Sequence, residues 1–334
     1  MGNKVHRTAI GLEYDGTAYK GFQKQRNTTR TIQNLVDQSL SNVADHKIKT
    51  ICCGRTDSGV HAFSQIIHFD TTSYREDKAW VEGGNSFLPK DIRLLWAKKV
   101  TDRFHARFSA ISRTYRYIIK CSSSPSALNR NRHLWINEDI DLRSMKRASL
   151  YLLGEKDFTS FRTSSCQSKT PFRNIYSIKI KKKGELIFVD ITANAFLLNM
   201  VRIIVGTLLE VGLKRKKPNE IKMILEAKDR KLAGKTSSPK GLYLVGASYL
   251  NEFKLPNITN FLKSKFNGKV IEKGERIFLD GSDEIYSSKD ISNLAKELEE
   301  KFKVKPIISM ELNDTTQEEL NEWGFPEAKL LPIP

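Results

Sequence analysis

Cysteines are few in this sequence, long apolar runs are absent, and acidic residues are outnumbered. Four cysteines among 334 residues, two of them adjacent (Cys52, Cys53), make neither a disulfide framework nor a CxxC metal site. The most apolar stretch, Ala193 to Gly212, is interrupted by Asn199, Arg202 and Glu210, which argues against a membrane span. Met1-Gly2-Asn3-Lys4 leads into no apolar signal region, and the sixth position of the myristoylation pattern holds His6. The six histidines have no HExxH or paired ligand spacing, so no metal is expected. The expectation is a reduced, soluble, cytosolic protein with no membrane partner.

The shortage of acidic residues is uneven. Residues 1–250 carry 44 Lys and Arg against 22 Asp and Glu, whereas residues 251–334 carry 12 against 16. The first 250 residues therefore carry a net +22 of a whole-chain +18, which favours a polyanionic partner such as nucleic acid or an anionic membrane. The acidic remainder, set off near Tyr249-Leu250-Asn251 and Lys254-Leu255-Pro256, reads as a separate small extension.

Hydrophobic periodicity predicts strands over 7–14, 48–53, 65–69, 92–100 and 112–120, and a helix over 31–43. The serine cluster Ser122-Ser123-Ser124-Pro125-Ser126 marks the expected boundary between two lobes, 1–120 and 121–250. Beyond it, helices are predicted over 142–153, 196–211 and 219–227. A hairpin of 175–181 with 186–191 turns around Lys183-Gly184, and 242–249 is a last strand. The extension 251–334 reads as a strand region over 269–280, an amphipathic helix over 291–302, a strand over 305–312 and a short helix over 317–323. Each half mixes a few strands with packing helices. The class is α+β: two mixed α/β lobes plus a small C-terminal α/β appendage.

Several motifs fail. Gly234-Lys235-Thr236 ends like a phosphate-binding loop, but Asp229 stands where GxxxxGK[ST] needs its first glycine, and no strong strand precedes it. No GxSxG or GxGxxG falls in a usable context. Cys53-Gly54-Arg55-Thr56-Asp57-Ser58-Gly59-Val60-His61-Ala62 differs. Asp-Ser-Gly is ordinary turn chemistry between two strands, yet Arg55 and Asp57 also place a charged pair on a loop bordered by apolar segments. Arg202 is the stronger physical clue, because Leu197 to Val205 around it is apolar on nearly every face. An unpaired buried guanidinium costs roughly several kcal/mol. Arg202 therefore meets a carboxylate in a structural ion pair, reaches a water-filled cleft, or holds a catalytic carboxylate ionised.

Gly54 to Ala62 resembles the signature of the tRNA pseudouridine synthase A family, in its bacterial form. Further segments resemble family motifs in the family's order: Phe104-His105-Ala106-Arg107-Phe108, Arg113-Thr114-Tyr115-Arg116-Tyr117, Gly154-Glu155-Lys156-Asp157-Phe158 and Cys166-Gln167-Ser168-Lys169-Thr170. Asn194-Ala195-Phe196 with Met200-Val201-Arg202, and Gly241-Leu242-Tyr243-Leu244-Val245, complete the series. The resemblance covers about residues 8–250 and stops where members of the family normally end.

The resemblance implies two lobes with antiparallel-rich sheets flanking a basic cleft, and isomerisation of uridine to pseudouridine in the anticodon arm of tRNA. It implies no cofactor, no metal, no DNA partner, and a homodimer in which each tRNA touches both subunits. Asp57 is then the catalytic carboxylate, either as a nucleophile or as the guide of a glycal-type elimination, and Arg202 is the arginine that pairs with it. An ionised carboxylate is needed on either route, and a nearby guanidinium favours it. Arg55 helps replace the flipped-out base, Tyr115 stacks on the uracil, and Leu244 packs on its other side. For Tyr115 a core tyrosine alternating with Tyr117 is the competing reading from the residues alone. Arg75, Arg107, Arg113, Arg116, Lys169 and Arg173 are candidates for phosphate contacts. Arg75, the segment Phe104, His105, Ala106, Arg107 and Phe108, and the segment Cys166, Gln167, Ser168, Lys169 and Thr170 match substrate-binding positions. The serines at 122–124 replace a stretch that tends to be basic in relatives, with Arg130 and Arg132 able to compensate, and the extension has no family counterpart. Two other classes compete: a non-catalytic RNA-binding module, and a DNA-binding or ribosomal structural protein, for which no recognition-helix motif is present.

Overall fold

The computed structural model describes residues 5–256 and three short strands beyond them. The chain runs β1 (His6–Tyr14), α1 (Ile32–Ala44), β2 (Ile51–Cys52), β3 (His61–Thr71), α2 (Asp77–Phe87) and β4 (Ile92–Val100). It continues with β5 (Ser112–Cys121), β6 (Leu134–Ile136), α3 (Leu142–Leu150), β7 (Gly154–Asp157), β8 (Phe172–Lys183) and β9 (Leu186–Ala193). Then come α4 (Met200–Gly212), α5 (Glu220–Ala227), β10 (Leu242–Ser248), and β11 (Val270–Lys273), β12 (Arg276–Leu279) and β13 (Ser282–Ile285). Among the described residues, 5–113 with those from 244 onward form one compact unit, and 114–243 form a second.

In the first unit the strand order is β4-β1-β3-β10, with β2 on β3. β1 pairs antiparallel with both neighbours, Ala9 facing His68 on β3 and Lys98 on β4. Ala9, Ile10 and Leu12 are fully buried, and α1 turns Ile32, Val36, Leu40 and Ala44 inward as one apolar stripe. Thr31 caps α1 by accepting the Asn34 N–H at 3.4 Å. The strand expected over 48–53 shrinks to Ile51–Cys52, because the Thr50 N–H and hydroxyl both donate to Asp37 Oδ1, at 3.0 and 2.6 Å. Helix α2 was not expected, since Gly83 and Gly84 weaken it and only Trp80 and Gly84 are buried. Packing decides it: Trp80 meets Phe69 with ring centres 5.1 Å apart, and a Cβ at Gly84 would lie 2.4 Å from Leu94.

In the second unit the order is β5-β9-β8-β7, with β6 parallel to β5. The expected hairpin is present as β8 and β9, turning through Gly184 at φ 57°. Helix α4 is the core helix, with every residue buried except Arg202 and Glu210. It starts at Met200 rather than 196, because Asn199 adopts a left-handed backbone (φ 62°) and Met200 N–H closes a turn on Leu197. Helix α3 is capped by Asp141 and ends at Leu150 rather than 153, where Leu152 N–H bonds Ser149 instead.

In the extension, β11, β12 and β13 form an antiparallel sheet of their own, so the strand region expected over 269–280 holds two paired strands. The elements expected over 291–302, 305–312 and 317–323 lie outside the described residues. The architecture is α+β, with antiparallel-rich sheets. Among the described residues no helix is long and apolar enough to cross a membrane.

Candidate active site

Asp57 lies on the loop between β2 and β3, and the segment 14–22 holds that loop from below. Phe22 N–H donates to the Thr56 carbonyl at 3.0 Å, and Tyr14 and Thr56 share a hydroxyl hydrogen bond at 2.7 Å. On the other side of Asp57, Ser58 Oγ and Gly59 N–H both donate to the Tyr19 carbonyl, at 3.1 and 3.3 Å. The loop closes on itself where Val60 N–H donates to the Asp57 carbonyl at 3.1 Å. Two glycines make this close approach possible: a Cβ at Gly16 would lie 1.9 Å from the Val60 carbonyl oxygen, and one at Gly21 (φ 93°) 2.7 Å from that of Thr56. Burial keeps the Tyr14 phenol well above its ordinary titration range. Asp57 itself is half-buried, and Arg55 beside it is exposed.

The base of the loop is fixed separately. Gln65, fully buried on β3, donates to the Gly54 carbonyl at 2.8 Å and accepts from Cys53 Sγ at 2.9 Å. Arg113 is buried, and its guanidinium donates to the carbonyls of Cys53 (3.0 and 3.2 Å), Ala110 (2.9 Å) and Arg107. This corrects the phosphate-contact expectation for Arg113, which ties the Asp57 loop to the segment around Arg107. Burial pushes the Cys52 thiol up to about 12 and raises that of Cys53, so both remain thiols.

The 104–108 segment divides by exposure. Phe104 and Ala106 are fully buried; Phe104 meets Tyr249 and Phe253, each with ring centres 5.1 Å away. His105 Nδ1 accepts the N–H groups of Arg107 (3.2 Å) and Phe108 (3.1 Å) and its ring stacks on Phe108 at 4.3 Å. The Arg107 guanidinium lies 5.6 Å from the centre of the Phe108 ring, and Phe108 is 76% exposed. Arg75 is exposed, donating to the Tyr74 carbonyl at 2.9 Å, and Leu244 is fully buried in β10.

In the second unit Arg202 occupies the first turn of α4, with Nε on the Ser237 carbonyl and Nη1 on Asn199 Oδ1, both at 2.7 Å. Tyr115 is buried on β5, edge-on to Phe196 at 5.1 Å. In the 166–170 loop, Gln167 and Lys169 are exposed and Cys166 is half-buried, its Sγ accepting the Leu198 N–H at 3.5 Å. Buried Arg173 shapes that loop by donating to the Ser168 hydroxyl (2.6 Å) and the Thr170 carbonyl (3.0 Å). Arg116 forms a two-pronged pair with Asp190, both bonds 2.7 Å. Arg116 and Arg173, expected as phosphate contacts, are therefore engaged within the fold. The sequence reading missed the holding residues Tyr14, Gly16, Gly21, Gln65 and Asn199. Their signal, glycines and polar groups spaced before and after the site, has meaning only once the chain is folded.

A family model described as tRNA pseudouridine synthase matches residues 12–109 and 148–250. The tRNA pseudouridine synthase A of Alcanivorax borkumensis is 44% identical over 251 residues, 75% of this chain and 94% of that one. Its namesake in Coxiella burnetii is 47% identical over 252 residues, 75% of this chain and 96% of that one. That of Legionella pneumophila is 48% identical over 249 residues, 75% and 95% of the respective chains. The chain belongs to the tRNA pseudouridine synthase family.

Proposed function

We propose that the protein isomerises uridine to pseudouridine in the anticodon arm of tRNA, as a cytoplasmic homodimer needing neither cofactor nor metal. The reaction moves the glycosidic bond from N1 to C5 of the base. One observation carries the reading: the loop Gly54–Ala62, which resembles the family's signature, is fixed by hydrogen bonds on both sides of Asp57.

Asp57 supplies the carboxylate, acting either as nucleophile or as the guide of an elimination. Arg202 supplies the positive charge that keeps that carboxylate ionised through the reaction. The target uridine leaves its stack at a cost of roughly a few kcal/mol, and Arg55 helps take its place. Tyr115 and Leu244 receive the uracil between them, since an aromatic and an apolar wall suit a π-face. Exposed Arg75, Arg107, Phe108, Gln167 and Lys169 face the tRNA, while Phe104, His105, Ala106, Cys166, Ser168 and Thr170 shape their loops. The excess positive charge of residues 1–250 steers the polyanion toward them.

The test is a site-resolved map of pseudouridine in unmodified tRNA incubated with the purified protein, without metal or nucleotide. New pseudouridine confined to the anticodon arm supports the reading; pseudouridine elsewhere only overturns the substrate position, and none at all overturns the activity.

A further inference from the structure

The Gly234-Lys235-Thr236 segment, which fails as a phosphate loop, has another place in this fold: residues 233–237 lie as a strap along α4. Gly234 N–H donates to Thr207 Oγ1 at 2.9 Å, and Ser237 N–H donates to the Arg202 carbonyl at 3.1 Å. The Thr207 hydroxyl gives its own proton to the Ile203 carbonyl at 2.7 Å, which leaves its oxygen to accept from the strap. Contact is backbone to backbone. A Cβ at Gly206 would lie 1.9 Å from the Lys235 carbonyl oxygen, and one at Gly234 would lie 2.7 Å from the Gly206 carbonyl.

The strap delivers the Ser237 carbonyl to Arg202 Nε at 2.7 Å, and Asn199 takes Nη1 at the same distance from the opposite end of the turn. A guanidinium is planar, so two acceptors on different nitrogens fix both its place and its plane. We infer that Thr207, through the strap, and Asn199 are positioning residues for the reaction, acting through Arg202. The inference rests on the role given to Arg202 above. Displacing a charged group by about 1 Å from its working position costs on the order of a hundredfold in rate, so a loosened strap is felt in turnover before it is felt in binding.

The experiment measures kcat, KM for tRNA and melting temperature for the wild-type chain, Thr207→Val, Thr207→Ser, Asn199→Gly and Arg202→Leu. Thr207→Val removes the acceptor of Gly234 N–H, and Thr207→Ser retains it. Asn199→Gly keeps the left-handed backbone while deleting the acceptor of Nη1, and so serves where Thr207→Val fails to fold. The expected result is a loss of roughly tenfold to a hundredfold in kcat for Thr207→Val and Asn199→Gly, with KM within about twofold of wild type. Thr207→Ser should restore kcat. Wild-type kcat in folded Thr207→Val and Asn199→Gly, beside an inactive Arg202→Leu, overturns the inference and leaves the role of Arg202 standing. A loss of kcat that tracks melting temperature and disappears on cooling also overturns it. An Arg202→Leu protein with full turnover removes the role of Arg202 itself.

Discussion

Gly21 sets what the Asp57 loop tolerates. Its φ of 93° and the 2.7 Å approach to the Thr56 carbonyl leave no place for a side chain. Gly21→Ala should destabilise the chain by about 1–3 kcal/mol and slow turnover, as read by urea unfolding and by pseudouridine formation. His68 gives a pH signature. It is buried, accepts the Ala106 N–H on Nδ1 at 3.1 Å, and lies 4.7 Å from the His105 ring centre. Burial, then the charge of Arg7, lowers its pKa from 6.5 to about 4. Above 6.5 the ring is neutral folded or unfolded and its contribution is complete. As pH falls from 6.5 toward 4, the unfolded chain binds a proton that the folded chain refuses, so stability is lost across that window. Asp70 and Asp141, whose carboxyls are held below 3.8 by Arg7 and by the Ser144 N–H, add their loss only at lower pH. His68→Asn keeps an acceptor for Ala106 without titrating, so its stability should fall less steeply between pH 6.5 and 4; an unchanged slope would contradict the assignment. At this scale the sequence singled out Asp57 as a candidate by its motif and Arg202 by its apolar surroundings. It did not distinguish Arg113 and Arg173, which are buried and donate to carbonyls of their own unit, from exposed arginines, because a basic residue bound for buried carbonyls looks the same in sequence as one bound for phosphate.

Helix α4 was legible as an element because its apolar residues fill every face. Its start was not, since the left-handed turn at Asn199 depends on a side chain reaching forward to Arg202. Arg202→Leu should abolish most turnover yet cost only about 1–3 kcal/mol in stability, because a leucine suits the helix and offsets part of the loss of the hydrogen bonds to Ser237 and Asn199. Equal and large losses in both measurements would make Arg202 a structural residue. Helix α2 shows the opposite case: two glycines hide it from propensity, while the space beside Leu94 requires one of them. Strands β4, β5 and β9 were readable because alternation along much of their length records burial directly, whereas in β1 the run Thr8–Leu12 is buried on both faces.

At the scale of the molecule, the charge break near residue 250 separates the family-matched part from an acidic extension. The packed core runs slightly further. Phe253 is buried against Phe104, and the Lys254 carbonyl accepts a hydrogen bond from Lys98. A chain ending at Pro256 should therefore fold and keep wild-type turnover. One ending at Leu250 loses the Phe253 ring and should be less stable by about 1.5–3 kcal/mol, which thermal melts of the two truncations will separate. Loss of activity in a folded chain ending at Pro256 would make the extension part of the enzyme. The central claim, a tRNA isomerase that works through Asp57, is tested most directly by following pseudouridine formation in tRNA by wild-type and Asp57→Asn proteins with no metal or nucleotide added. The account predicts conversion by the wild type and none by Asp57→Asn, with tRNA affinity retained within a few-fold because phosphate contacts supply most of the binding. Continued turnover by Asp57→Asn would contradict it.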